Sequence, residues 1–342
     1  MICSKSNDLE DLASQYRFKY TTPPIERKIS LWNDIKSIRV ICHYIRENKI
    51  DIVVGHSPKG ALLSMIAAVL CGVKKRIYFR HGLVYETSRG IKRTILKMVD
   101  RITSACATTV VCVSPSLMQK SIEDHLCEPS KQVILGKGTC GGIDTQNKYN
   151  PDKIDEDRLG LYCHKYGIEL QDFIVGFTGR LVRDKGIIEL IQAFDLLPKE
   201  MNAKLLLVGM FEQRDALPTG IKERILNDER IIYTGQINED MEYFYAMMNV
   251  YVLPSYREGF PIGILEAQAM RLPVLTTTET GCIDAIIDDK TGLYITHDPT
   301  NMAQKIRDIR EYTQMGNVGR EWVTKNYDQR IIWKYIEELY RA

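Results

Sequence analysis

Gly176-Phe-Thr-Gly-Arg-Leu-Val-Arg-Asp-Lys-Gly186 runs from the end of a short apolar stretch, residues 173–177, into a helical pattern over 186–197. The apolar stretch reads as a buried strand. The turn holds Gly179, Arg180 and Lys185. Glycine lets a phosphate approach the backbone closely, and a helix N-terminus offers free amides and a positive dipole end. Two cations beside such a turn can clamp a diphosphate. On spacing alone, a βα turn with solvated bases is the simpler reading. The stretch is neither a Walker A loop nor a GxGxxG, so it supports neither an NTPase nor a dehydrogenase.

The alternation of strand and helix extends in both directions. Downstream, strands fall at 204–208, 230–233, 251–253, 273–276 and 293–295, with helices at 221–226, 239–248 and 262–270, and the chain from 301 onward is helical almost throughout. Upstream, strands at 51–55, 76–80, 108–113 and 131–135 alternate with helices at 58–71, 91–106 and 115–124. A polar stretch at 137–157, with several glycines, asparagines and Pro151, separates the two series. Continuous apolar strands alternating with helices predict parallel sheets covered on both faces. The expected fold is α/β, two doubly wound Rossmann-like halves in tandem. Ligands in such sheets bind outside the carboxyl ends of the strands. Two such halves facing across a cleft suit a reaction that joins two substrates.

A second stretch repeats the strand-to-helix logic: Leu253-Pro-Ser-Tyr-Arg-Glu-Gly-Phe-Pro-Ile-Gly-Ile-Leu-Glu-Ala-Gln-Ala269. Glu258 precedes the helix and Glu266 lies within it. Gly259, Phe260 and Pro261 form the tight turn, where amides can point at an oxygen-rich ligand. A carboxylate there can accept hydrogen bonds from sugar hydroxyls. Glu266, eight residues on, can reach a second diol such as a ribose. Taken alone, Glu258 reads equally as an acid favoured by the helix dipole and Glu266 as a solvated helix residue.

Taken together, these stretches make residues 174–295 resemble the C-terminal domain of retaining GT-B glycosyltransferases of family 4. They match the family's G-R-x4-K turn and its E-x7-E motif, and Gly281-Cys-Ile-Asp-Ala-Ile286 and Asp289-Lys-Thr-Gly-Leu293 match its usual continuation. The N-terminal half resembles the capsule, O-antigen and lipid-linked oligosaccharide subgroup. Ile52-Val-Val-Gly-His-Ser-Pro-Lys-Gly60 stands at the HTHTPK segment and Tyr78-Phe-Arg-His-Gly-Leu83 at the H-G-L turn. Val111-Cys-Val-Ser-Pro-Ser116 and Lys137-Gly-Thr-Cys-Gly-Gly-Ile-Asp144 match further landmarks.

The resemblance implies a hexosyltransferase that moves a hexose or N-acetylhexosamine from a UDP-sugar to a hydroxyl of a glycan acceptor. Arg180 and Lys185 would hold the donor diphosphate and stabilise the leaving nucleotide. Glu258 would bind donor-sugar hydroxyls beside the amides of Gly259, Phe260 and Pro261, and Glu266 the ribose. His81 would contact the donor sugar. His56 and Lys59 would bind acceptor or phosphate, with Gly138 and Gly179 near the diphosphate. No divalent metal and no cofactor is implied. Positive side chains and helix dipoles take the metal's part. The implied acceptor is linked to a polyprenyl diphosphate, which places the protein in the cytoplasm, peripheral at the inner face of the plasma membrane, in surface-polysaccharide synthesis. Two alternatives remain: a GT-B synthase acting on a soluble small acceptor, and an inactive nucleotide-sugar-binding homologue.

The expected domains are 1–145, acceptor-binding; 146–170, a linker; 171–325, nucleotide-sugar-binding; and 326–342, a helix crossing back to the first domain. Family members open with a glycine-rich strand–loop–helix unit. This chain opens at what reads as the second strand, Ile2-Cys3. The N-terminal domain is therefore expected to lack that first unit, and roughly 25–35 further residues are expected upstream of Met1, about one strand–helix unit.

Composition agrees with a folded two-domain protein. The 342 residues are 44% hydrophobic and 26% charged. The longest apolar run is broken by Ser64 and Gly72 and is too short for a membrane span. Nine scattered cysteines without a CxxC pair argue for reduced thiols. The net charge of +2 conceals an asymmetry: residues 1–170 carry 26 bases against 18 acids, and the rest 20 against 26. The densest stretch, 59–101, has ten bases and two acids. A basic half suits an anionic membrane surface or a phosphorylated substrate. No aromatic interleaving marks a nucleic-acid module.

Overall fold

A computed structural model describes residues 1–6, 9–26 and 30–342. The chain divides into two compact units, residues 1–113 with 117–135, and residues 136–342 with 114–116.

The first unit carries a four-stranded parallel sheet: β1 (Ile52–Gly55), β2 (Lys75–Arg80), β3 (Thr109–Cys112) and β4 (Gln132–Val133), in that spatial order. Its helices are α1 (Leu9–Tyr16), α2 (Leu31–Glu47), α3 (Pro58–Leu70), α4 (Gly90–Cys106) and α5 (Pro115–Glu123). Strand order equals chain order, so the right-handed crossovers put α3, α4 and α5 on one face. α2 packs on α3, and α3 on α4. The core gathers Ile41, Ile45, Leu63, Met65, Val110 and neighbouring residues. Arg80, at the end of β2, is fully buried. Its guanidinium donates to Asp100 (2.6 Å), Ser104 (2.7 Å), Ser121 (2.6 Å) and Gln132 (3.1 Å). Asp100 keeps that guanidinium charged against the cost of desolvation.

Three details depart from the sequence reading. Strand β4 spans two residues of the five expected. Ile2 forms only an isolated bridge to Thr21. α1 and α2 occupy a stretch to which the sequence reading assigned no helix. β1 is the edge of the sheet. A cavity of about 610 Å³ runs along it, lined by all of β1 and by residues 1–4, with none of β2.

The second unit carries β5 (Phe173–Thr178), β6 (Ala203–Val208), β7 (Ile231–Gly235), β8 (Val250–Leu253), β9 (Val274–Thr276) and β10 (Gly292–Tyr294). The spatial order is β10-β9-β8-β5-β6-β7, parallel throughout. The chain builds outward from β5 through β6 and β7, then returns to lay β8 on β5's other side. Val175 pairs with Leu205 on one side and with Val250 on the other. The topological switch therefore falls between β5 and β8, where open α/β sheets take their ligands. Helices α6 (Glu156–Lys165), α7 (Ile187–Asp195), α8 (Thr219–Asn227), α9 (Met241–Ala246), α10 (Ile262–Ala269), α11 (Pro299–Asp308), α12 (Met315–Tyr327) and α13 (Gln329–Arg341) complete it. α6 lies inside the stretch 146–170 expected to be a linker, capped by Asp155, whose side chain accepts from the Arg158 amide at 3.0 Å. Asp328 caps α13 in the same way, and Ile143 bridges to it.

Candidate active site

The two strands that meet at the switch point are the ones followed by the two motifs. β5 ends at Thr178 and enters Gly179 to Gly186; β8 ends at Leu253 and enters Pro254 to Pro261. The loops interlock. Gly186 sits at φ +70°, and a Cβ there would stand 2.1 Å from the Pro254 carbonyl oxygen. A Cβ on Gly209, at the end of β6, would stand 1.9 Å from that of Gly179. Side chains at these two positions would drive the loops apart.

Six charged groups then meet in three pairs. Lys185, in the single 3-10 turn before α7, pairs with Glu258, and both are largely buried. Ser255 donates to the same Glu258 oxygen at 2.8 Å. Arg257 pairs with Asp184 at 2.7 Å, binding the loops a second time. Arg180 projects further out, 48% exposed, and pairs with Glu212 at 2.6 Å. Each cation thus already has a carboxylate partner. A diphosphate can take over Lys185 only by competing with Glu258.

Gly259 and Phe260 lead to Pro261, the N-cap of α10, so the helix start points its unpaired amides at this corner. Glu266 lies one turn deeper on α10. Tyr245 donates to it at 2.7 Å, and the Tyr149 hydroxyl also bonds to it. Thr178, the last residue of β5, contacts both Tyr245 and Tyr251 hydroxyls at 3.0 Å. Burial raises the Glu266 pKa, and the two tyrosine hydroxyls oppose that shift. Tyr149 and Tyr245 escaped the sequence reading. They stand far from Glu266 in the chain, and their only local signal is the aromatic run Tyr243-Phe-Tyr245. Gly138 lies in a turn of this unit at φ +128°, apart from strands and helices.

The first unit holds a separate cluster. His56 follows β1 and His81 follows β2, adjacent strands, and Nδ1 of His56 lies 2.8 Å from Nε2 of His81. The His56 ring also stacks on Phe79, centroids 4.8 Å apart. Desolvation lowers the His56 pKa, and desolvation followed by repulsion from His56 lowers that of His81 to about 4. Both imidazoles are therefore neutral at pH 7, one donating to the other. Lys59, in the first turn of α3, pairs with Asp34 at 2.6 Å. Among the described residues none of the nine cysteines forms a disulfide. Among the described residues no helix is long and apolar enough to cross a membrane.

Two parallel α/β units, one with a G-R-x4-K turn and an E-x7-E helix at its switch point, define the GT-B class of glycosyltransferases. Residues 163–322 match the family described as Glycosyl transferases group 1, and residues 1–138 match Glycosyltransferase Family 4. The chain is 33% identical over 327 residues to the capsular polysaccharide biosynthesis glycosyltransferase CapM of Staphylococcus aureus, covering 93% of this chain and 84% of that protein. It is 27% identical over 291 residues to an Escherichia coli enzyme named UDP-Gal:alpha-D-GlcNAc-diphosphoundecaprenol alpha-1,3-galactosyltransferase, covering 82% of this chain and 71% of that one. Among solved structures, HepE of Anabaena in complex with UDP superposes with a TM-score of 0.79 at 16% identity, covering 100% of this chain and 91% of that one, a likeness of fold. The chain belongs to glycosyltransferase family 4 and is a glycosyltransferase.

Proposed function

We propose that the protein transfers a hexose or N-acetylhexosamine from a UDP-sugar to a hydroxyl of a lipid-linked glycan, with retention at the anomeric carbon, in bacterial surface-polysaccharide synthesis. The observation that carries this reading is the meeting of both motifs at one switch point, with Lys185 and Glu258 in direct contact. The diphosphate displaces Glu258 from Lys185 and takes up Arg180 at the rim. The freed Glu258, still held by Ser255, accepts hydrogen bonds from the sugar. The amides of Gly259 and Phe260 and the start of α10 add positive potential where the leaving nucleotide gains charge. Glu266, fixed by its tyrosines, receives the ribose hydroxyls.

In this reading Glu258 binds sugar and does not attack carbon. A donor phosphate oxygen takes the acceptor proton, and the new bond forms on the face the nucleotide leaves. His81, neutral, offers a hydrogen bond to the donor sugar, and His56 fixes its tautomer. The names of the relatives support the donor and acceptor: one uses UDP-galactose and an undecaprenyl-diphosphate-linked sugar. The test is transfer from a panel of nucleotide sugars to a polyprenyl-diphosphate-linked sugar, with product stereochemistry read by NMR and a parallel reaction in EDTA. Retained configuration and full activity in EDTA are expected. Inverted product, loss of activity in EDTA restored by manganese, or transfer only to soluble acceptors would contradict the reading.

A further inference from the structure

Arg320, on α12, directs its guanidinium at neutral oxygens. It donates to the carbonyls of Ala269 (2.6 Å), Tyr149 (3.1 Å) and Thr145 (3.2 Å), and to Oδ1 of Asn150 (2.9 Å). The carboxylate of Asp152 is taken up by Arg271, at 2.7 and 2.8 Å. Desolvation, then repulsion from Arg271, lowers the Arg320 pKa. A half-buried cation held this way costs desolvation that an apolar residue would not. What it supplies is geometry. One nitrogen, Nη1, ties the Tyr149 carbonyl to that of Ala269, the last residue of α10. Glu266 stands three residues earlier on the same helix. The guanidinium thereby sets the distance between the Tyr149 backbone and the helix that carries Glu266.

The rest of the segment 142–150 is pinned as firmly. Gly142 sits at φ +71°, and a Cβ there would stand 2.6 Å from the Gln329 Cα. The Ile143 amide donates to Tyr327 at 2.8 Å, its carbonyl accepts from Gln329 at 2.9 Å, and Thr145 donates to Asp328 at 2.5 Å. Tyr149 is buried, its ring edge-on to that of Tyr245 with centroids 6.0 Å apart. Burial, then the Glu266 charge, raises the Tyr149 pKa, so the phenol keeps its proton and donates. Glu266 is faced by Tyr245 from α9, by Tyr251 from β8, and by Tyr149 and Lys148 from this segment. A carboxylate offers about four acceptor positions. Tyr149 and Tyr245 take two of them. The two that are left are the number a vicinal diol fills.

We infer that Arg320 is a positioning residue for the nucleoside end of the donor site: through the Tyr149 carbonyl it holds the Tyr149 hydroxyl on Glu266, and so aims the carboxylate at the ribose diol. The inference rests on the reading of Glu266 above as the group that receives the ribose hydroxyls. The experiment is a double-mutant cycle of Arg320→Gln and Tyr149→Phe in the full chain, titrated with UDP, uridine and pyrophosphate, with melting curves to show that each variant folds. Each single variant weakens UDP and uridine about fivefold, the order of one net hydrogen bond, and leaves pyrophosphate at the parent's affinity. In the Tyr149→Phe background, Arg320→Gln adds less than a twofold loss. The acid limb of UDP binding moves to higher pH in both variants, because Glu266 without the Tyr149 bond takes up its proton sooner as pH falls. Arg320→Lys, which keeps the charge but cannot span two carbonyls, shows the same losses should Arg320→Gln melt too low to titrate. Losses that multiply in the double variant, equal weakening of pyrophosphate, or an acid limb that stays in place would each overturn the inference. Failure of the ribose reading itself would show in the parent, as UDP held no tighter than pyrophosphate.

Discussion

The strand ends of the two units carry opposite kinds of chemistry. In the second unit, the loops after β5 and β8 gather paired charges: Lys185 with Glu258, Arg257 with Asp184, Arg180 with Glu212. In the first, the ends of β1 and β2 present neutral rings, His56, Phe79 and His81, and the charge is sunk beneath them in the Arg80–Asp100 pair. The contrast shows two ways to hold polar groups ready. Paired charges at a loop can be re-paired by an anionic ligand, so they bind. A fully saturated buried charge has nothing left to offer, so it holds the backbone that displays its neighbour.

The sharpest way to break this comparison is to treat Arg80 as a binding residue. Arg80→Met leaves Asp100 without its partner and should lower unfolding stability by about 3–5 kcal/mol in denaturant titration. UDP affinity should stay at the parent's value under conditions where the variant is folded. A stable variant with weakened UDP binding would reverse the assignment.

Lys185→Ala should weaken UDP about ten- to a hundredfold, the loss of one charge-assisted contact of roughly 1.5–3 kcal/mol. Arg180→Ala should cost less than Lys185→Ala, because Arg180 is half exposed and screened by water. Calorimetric titration orders the two. Equal losses would place Arg180 as deep in the site as Lys185.

The two glutamates separate next. Glu258→Gln should spare UDP and slow transfer. Glu266→Gln should weaken UDP severalfold without cost in stability. The folded protein holds the Glu266 proton more tightly than the unfolded chain, so this group adds stability at acid pH and loses it as pH rises through its raised pKa. At pH 7 a neutral amide should therefore melt no lower than the parent. A melting temperature several degrees lower would show that the ionised carboxylate holds the tyrosines.

Much of this was legible in the sequence, and the gaps have physical causes. The strand over 173–177, the helix that begins near Pro261 and the positions of Glu258 and Glu266 on either side of its start follow from local pattern. The partners do not. Lys185 and Glu258 stand 73 positions apart, and only the return of β8 to β5 joins them. Arg80 reads as one base in a basic stretch; its burial depends on Asp100, Ser121 and Gln132 from three other segments. The helical period of 91–106 is plain in the sequence, but not which face turns inward, since that is set by Arg80. α2 carries Ile38, Ile41 and Ile45 at helical spacing, a periodicity that the sequence itself displays.

The smallest effect concerns the histidines. The His81 pKa, about 4, lies below the unfolded value of 6.5, so between those pH values the unfolded chain binds more protons. Stability should be full above pH 6.5 and fall as pH drops toward 4. His81→Gln should flatten part of that slope in melts across the window. An unchanged slope would mean that the imidazole is as well solvated folded as unfolded.

The central claim is that the second unit's switch point binds the nucleotide donor through Lys185. Thermal unfolding of the full chain with UDP tests it most directly. At 100 times its dissociation constant UDP should add about 2.7 kcal/mol to the parent. At that same concentration Lys185→Ala should gain only about 0.4–1.4 kcal/mol, as a ten- to hundredfold weaker affinity requires. Equal stabilisation of parent and variant, or none of the parent at millimolar UDP, would contradict the account.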